Sequence, residues 1–111
     1  MPANRIMQIV ASESTPEKEA EFDKWYTDIH VPMLFGYKGV KQVSRYRRLG
    51  NDENSAKFLA IYEFKNLEDM EAFPESPEFA EAIEDFEKNK ESMGFNMKWV
   101  SSYELIKSWE R

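Results

Sequence analysis

The sequence predicts an α+β domain with the element order β-α-β-β-α-β and a four-stranded antiparallel sheet. Three observations carry this. A short run rich in β-branched residues comes first, two strand-like runs joined by a polar turn lie in the middle, and amphipathic helical segments with start signals flank that pair.

Ile6-Met7-Gln8-Ile9-Val10 reads as a strand buried on both faces, entered directly from Met1-Pro2-Ala3-Asn4-Arg5. Ser14-Thr15-Pro16-Glu17 is a helix start. Thr15 can cap, Pro16 suits the first helical position, and Glu17 and Glu19 favour the positive helix end. The first helix then carries Phe22, Trp25, Tyr26, Ile29 and Met33 as one stripe. Pro32 offers no N–H to the Asp28 carbonyl and should push Val31 out of helical angles. A kink or break is expected there, followed by a loop through Gly36 and Gly39.

Val40–Leu49 reads as the second strand and Phe58–Phe64 as the third. The polar turn Gly50-Asn51-Asp52-Glu53-Asn54-Ser55 makes them an antiparallel hairpin. Asn66-Leu67-Glu68-Asp69 opens a short helix that Pro74 ends. Ser76-Pro77-Glu78 opens the next, with Phe79, Ala80, Ile83 and Phe86 as its buried stripe and Gly94 as its stop. Phe95–Val100 begins the last strand, which can run on through Tyr103 and Leu105. No linker or composition shift divides the 111 residues, so one domain is expected.

Helices on one face leave the other sheet face uncovered. In the third strand Leu59 and Ile61 point one way, while Phe58, Ala60, Tyr62 and Phe64 point the other. The small aliphatics suit the helix side. The rings, with Phe95, Met97, Trp99 and Tyr103 of the last strand, are expected on the open face. Soluble monomers rarely expose an apolar patch of that size, so a second copy should cover it as a homodimer.

Composition narrows the function. The net charge of −6 argues against nucleic acid as a partner, because phosphate binding rests on clustered cations. The one dense basic run, Arg45-Tyr46-Arg47-Arg48, reads as a charged strand edge or an anchor for an anionic group. The absence of cysteine removes disulfides, thiolate catalysis and cysteine metal sites, and one histidine makes a transition-metal site improbable. No metal or other cofactor is expected. No stretch has the length of a membrane span or signal peptide, which makes the cytoplasm the expected location.

The histidine is the main chemical candidate. Tyr26 and His30 are four residues apart and stack on one helix flank beside the Trp25–Ile29 row. With the helix broken at Pro32, His30 would face the negative end of the helix dipole, which favours the imidazolium; burial would favour the neutral ring. His30 can serve as a general acid–base, or it can cap helix carbonyls or fill the core.

The pattern Phe22-x-x-Trp25-Tyr26-x-x-x-His30-x-Pro32, followed by Gly39-Val40 and Ser44-Arg45-Tyr46-Arg47, resembles the EthD-like branch of the dimeric α+β barrel proteins. Tyr62-Glu63-Phe64 and Ser76-Pro77-Glu78-Phe79 are compatible with it. One departure is Phe35-Gly36-Tyr37-Lys38-Gly39-Val40, which lacks a proline before the glycine–valine pair. The resemblance implies a ferredoxin-like fold whose sheets pair into a dimeric barrel, with a pocket between each sheet and its helices. Relatives in that superfamily include cofactor-independent monooxygenases, polyketide cyclases and isomerases.

Three functions follow as alternatives. The first is a cofactor-independent enzyme acting by acid–base chemistry, of cyclase, lyase or isomerase type, on a small apolar, aromatic or polyketide-like molecule. His30 would move a proton and Tyr26, Tyr46 or Tyr62 would polarise an oxygen. Trp25, Ile29, Phe58, Phe64, Phe95 and Trp99 would form walls, and Arg45 would hold an anionic group. The second is a non-catalytic small-molecule-binding dimer, and the third an accessory protein with a filled core and no pocket.

Overall fold

The four strands form one antiparallel sheet. They are β1 (Ile6–Glu13), β2 (Val40–Arg47), β3 (Phe58–Phe64) and β4 (Asn96–Glu104), in the spatial order β2-β3-β1-β4. The computed structural model describes residues 5–111; Met1–Asn4, read above as leading straight into the first strand, lie outside the described residues. The central strands β1 and β3 pair Ile6 with Phe64 and Ser12 with Phe58. The hairpin expected between β2 and β3 is present, and Arg48 stiffens its loop by donating to the Asp52 and Ser55 carbonyls. This is the ferredoxin-like α+β arrangement that the element order predicts.

The first helical segment departs from expectation at Pro32. After a 3-10 turn at Pro16–Lys18, helix α1 (Glu19–Trp25) continues through a π turn at Tyr26–His30 into α2 (Val31–Phe35) without breaking. The Val31 N–H donates to the Tyr26 carbonyl, five residues back, and Val31 keeps helical angles of φ −61° and ψ −46°. Pro32 sits in the first turn of α2, just after this widened turn, which takes up the loss of the proline N–H that would otherwise stop an α-helix. His30 is therefore inside a continuous helical segment, not at a dipole terminus.

The π turn also changes which residues face inward. One extra residue per turn moves the inward row onto Phe22, Tyr26, His30 and Leu34. Ile29, assigned to the stripe by α-helical spacing, is 46% exposed instead. Thr15 occupies the start position in extended conformation but makes no side-chain cap; its N–H donates to the Gly94 carbonyl at 3.2 Å.

On β3 the sheet faces are the reverse of expectation. Phe58, Ala60, Tyr62 and Phe64 lie under the helices, each 3% exposed or less, and pack with Phe22, Trp25 and Tyr26. Leu59 and Ile61 lie on the open face. The helical layer supplies large rings that need ring-sized partners across the gap, and small aliphatics would have left voids there. The last strand is not in one phase either. Its register with β1 shifts between Ala11 and Ser12, where Ser12 pairs with Met97 but Ala11 pairs with Trp99. This bulge turns Met97 toward the helices and Trp99 and Tyr103 toward the open face.

Two capped helices complete the layer. In α3 (Leu67–Ala72), Asn66 Oδ1 accepts from the Asp69 N–H at 2.7 Å. In α4 (Pro77–Asn89), Ser76 Oγ accepts from the Phe79 N–H at 3.1 Å. The fully buried residue of α4 is Ala82, whereas Ala80 is exposed and Phe79, Ile83 and Phe86 border a cavity. Among the described residues, no helix is long and apolar enough to cross a membrane.

Candidate functional site

Between the sheet and the helices lies a cavity of about 220 Å³. Its walls are mainly apolar, from Leu34, Phe73, Phe79, Phe86, Phe95 and Met97 among others, and its polar groups come from Gln8, Tyr26, His30 and Tyr62. Each polar group arrives by a different local rule. Gln8 and Tyr62 face each other across the β1–β3 ladder, and strand alternation turns both toward the helices. The π turn brings Tyr26 and His30 in from above.

His30 is held by rings. It stacks on Trp25 with centroids 4.7 Å apart and planes 23° apart, and it meets the edge of Tyr26 at 5.0 Å. Trp25 is itself fixed, since its Nε1 donates to Asp85 Oδ2 at 2.7 Å. His30 Nδ1 is buried and has no hydrogen-bond partner among the described residues. Burial lowers the imidazole pKa to about 4, nearby Asp85 pulls it back up, and the Arg45 charge lowers it further. The ring is therefore neutral at pH 7, not the imidazolium that a helix terminus would favour.

Beside it, the Tyr26 and Tyr62 hydroxyls are 3.3 Å apart in a buried hydrogen bond. Burial is the main cause that raises both phenol pKa values, so both stay protonated near neutral pH. Each phenol carries one proton, and only one of the two is needed between them. The other can be donated to an oxygen in the cavity. The contact is long for an O–H···O bond, so it can open to admit such a group.

The structure brings together four of the residues singled out in the sequence: His30, Tyr26, Tyr62 and Phe95 all line the cavity. Trp25 stands behind His30, and Phe58 and Phe64 are core residues. Arg45 lies over the Tyr26 ring at 4.6 Å and is not a wall residue. Trp25, Phe58 and Phe64, expected as walls, thus do not line the cavity, and three further assignments are corrected. Tyr46 is on the opposite sheet face, paired with Leu59 and 55% exposed. Trp99 is on that face too, placed there by the β4 bulge. Ile29 is turned outward by the π turn.

Sequence reasoning missed Gln8, Asp85 and the α4 wall. Gln8 interrupts an otherwise apolar strand, which was a usable signal. Asp85 lies sixty residues from Trp25 in sequence, and nothing local marks their contact. Among the described residues, no group of three or more His, Cys, Asp or Glu side chains is placed to hold a metal ion.

No protein-family model and no curated protein matches the sequence. Solved structures do resemble the fold. HapK from Hahella chejuensis aligns with a TM-score of 0.70 at 12% identity, over 96% of this chain and 97% of that one. An ethyl tert-butyl ether d (EthD) family protein from Bacillus halodurans aligns at 0.64 and 13%, over 88% and 96%. A dimeric ferredoxin-like protein from an uncultured marine organism aligns at 0.62 and 15%, over 96% and 99%. Other neighbours include a monooxygenase-like protein of antibiotic biosynthesis and proteins of unknown function. At these identities the likeness shows the fold alone, a ferredoxin-like α+β arrangement.

Proposed function

We propose that the cavity takes a small, mostly apolar molecule bearing an oxygen function, aromatic or polyketide-like in character. The chain performs acid–base chemistry on it, of cyclase, lyase or isomerase type, with its own side chains and no cofactor. The observation that carries this reading is the meeting of a neutral imidazole and a neutral phenol pair on one apolar cavity. A carbonyl oxygen would accept from the Tyr26–Tyr62 pair. The neutral His30 ring would take a proton from the adjacent carbon, and the electron pair left behind would become an enolate held by the phenols. Returning the proton to another atom of the same ligand completes an isomerisation. Loss of a leaving group from the enolate would instead complete an elimination.

The depressed basicity of His30 favours a second reading, binding without turnover, because a base titrating near 4 accepts a proton reluctantly. A reading without a pocket has the cavity against it. Deuterium exchange at the α-carbon of 2-tetralone, followed by NMR in D₂O, separates the first two. The wild-type chain should accelerate exchange, and His30→Ala should lose about 10²–10⁴-fold of that acceleration. Binding of 2-tetralone without accelerated exchange would leave a binder.

We also propose that the chain works as a cytoplasmic homodimer joined through its open sheet face. Tyr46, Trp99 and Tyr103 stand there 43–55% exposed, beside half-buried Met7, Ile9, Leu59 and Ile61. That area is an apolar patch of the kind a partner covers, and similar structures are dimeric. The acidic balance of the chain favours neither nucleic acid nor a membrane surface as partner.

A further inference from the structure

The Tyr26–Tyr62 pair is backed by a cation that the acid–base reading does not use. Arg45 projects from edge strand β2 toward the helices. Its Nη1 donates to the Asp23 carbonyl at 3.1 Å, to Asp23 Oδ1 and to Thr27 Oγ1 at 2.7 Å. All three acceptors lie on one turn of the first helical segment, so the guanidinium is clamped in place. Its carbon lies 4.6 Å from the Tyr26 ring centroid and 5.4 Å from that of Phe58. Its other two nitrogens, Nε and Nη2, are buried with no hydrogen-bond partner among the described residues.

The charge around this clamp does not cancel. Asp23 serves Arg47 as well, at 3.1 Å, so two guanidinium groups share one carboxylate. The uncompensated positive charge lies over the Tyr26 ring, outside the cavity wall. The cavity wall itself holds no carboxylate; its polar groups are Gln8, Tyr26, His30 and Tyr62. Asp85 accepts from Trp25 Nε1 and raises the His30 pKa, but it is not a wall residue.

We propose that Arg45 is a positioning residue which, from behind Tyr26, makes the phenol end of the cavity a seat for an oxyanion, a phenolate or an enolate, in preference to the neutral acid. It acts through Tyr26 and Tyr62, whose remaining O–H donates to the anionic oxygen. The Arg45 charge also draws the pKa of both phenols downward against burial, so it reaches the atoms that would touch the ligand. An opposite charge close to an acid favours its ionised form. The ligand class that fits is an apolar molecule with one weakly acidic oxygen, which deepens the acid–base reading and rests on the cavity being the ligand site.

4-Nitrophenol tests this directly, because its phenolate absorbs visible light and its neutral form does not. The imidazole resonances of His30, which belong to the chain's one histidine, report that the dye is in the cavity. Bound to the wild-type chain, the dye should ionise at a lower pH than when free. In Arg45→Met the preference for phenolate should fall about tenfold, one pKa unit. Arg45→Lys should recover part of it, since the charge remains but the clamp does not. Asp23→Asn should move the dye the other way, toward easier ionisation, and it retains the guanidinium should Arg45→Met not fold. A bound dye that ionises like the free one, or identically in wild type, Arg45→Met and Asp23→Asn, would overturn the role of Arg45 while leaving the cavity as a site. A folded wild-type chain that does not bind the dye would overturn the seat; 2-tetralone exchange would then still test the acid–base reading by itself.

Discussion

The two faces of the sheet use neighbouring residues in opposite ways. On β3, Phe58, Tyr62 and Phe64 are sealed under the helices, while Leu59 and Ile61, one residue away, lie on the open face. Alternation sorts a strand into two sets but does not say which set faces the core. What decides here is the opposite layer. Phe22 meets Phe58, Tyr26, Trp25 and Phe95 at 5.4–6.5 Å, a cluster that only rings on the helix side can complete. Phe22→Ala should therefore cost about 3–5 kcal/mol, the range for emptying a buried aromatic site. Leu59→Ala, on the half-buried face, should cost less than half as much. Urea unfolding measures both, and equal losses would erase the contrast.

The helix side also carries a pH dependence that the open face lacks. His30 titrates near 4 when folded and near 6.5 when unfolded, so between those values the unfolded chain binds the extra proton. Stability is then complete above about pH 6.5 and falls as pH drops toward 4, by about 3 kcal/mol in all. Comparing unfolding free energies of the wild type and His30→Gln at pH 7 and pH 4.5 isolates this contribution. A difference between the two chains that stays constant with pH would mean that His30 is not buried as described.

Much of the fold was legible because it is written in local signals. Asn66 and Ser76 cap the helices they were expected to cap, and β3 runs over the seven residues that its pattern marks. What could not be read was phase. A π turn advances a helix by one residue, and a bulge does the same to a strand; each moved a candidate, Ile29 and Trp99, out of the site. Tyr46 failed because strand alternation places it beside Leu59 on the open face, and the pattern of β2 does not say which set faces the helices. His30, Tyr26 and Tyr62 survived because two of them share a helix row under either spacing and the third was one of a set of rings. Asp85 and Gln8 depended on tertiary contacts that no window of sequence contains.

On the open face the comparison sharpens at Trp99 and Tyr103, which pair with Ala11 and Met7 across β1 and are 43% and 50% exposed. Trp99→Lys should leave the protomer folded but weaken dimerisation by about 2 kcal/mol, roughly thirtyfold, as expected for an aromatic anchor at an interface. Sedimentation over a concentration series reads this directly. A wild-type chain that stays monomeric at every concentration would remove the proposed interface, and an unchanged dimer in the variant would remove Trp99 from it.

The smallest effect concerns how the helix side acquires its site at all. Pro32 is exposed, so Pro32→Ala opens no cavity, but it restores an N–H to the first turn of α2. With that donor present, the Asp28 carbonyl gains an ordinary α-helical partner, and the wide turn at Tyr26–His30 is free to tighten. Tightening would rotate His30 away from Trp25 and toward solvent, while Ile29 turned inward. Burial is what holds the imidazole near 4, so its midpoint should rise by about one unit, ~1.4 kcal/mol. A titration of the chain's lone histidine by NMR has no other imidazole to confuse it. A midpoint that does not move would show that the packing of Trp25, Tyr26 and Phe86 around the ring sets the π turn by itself, and that the proline merely fits a turn already made.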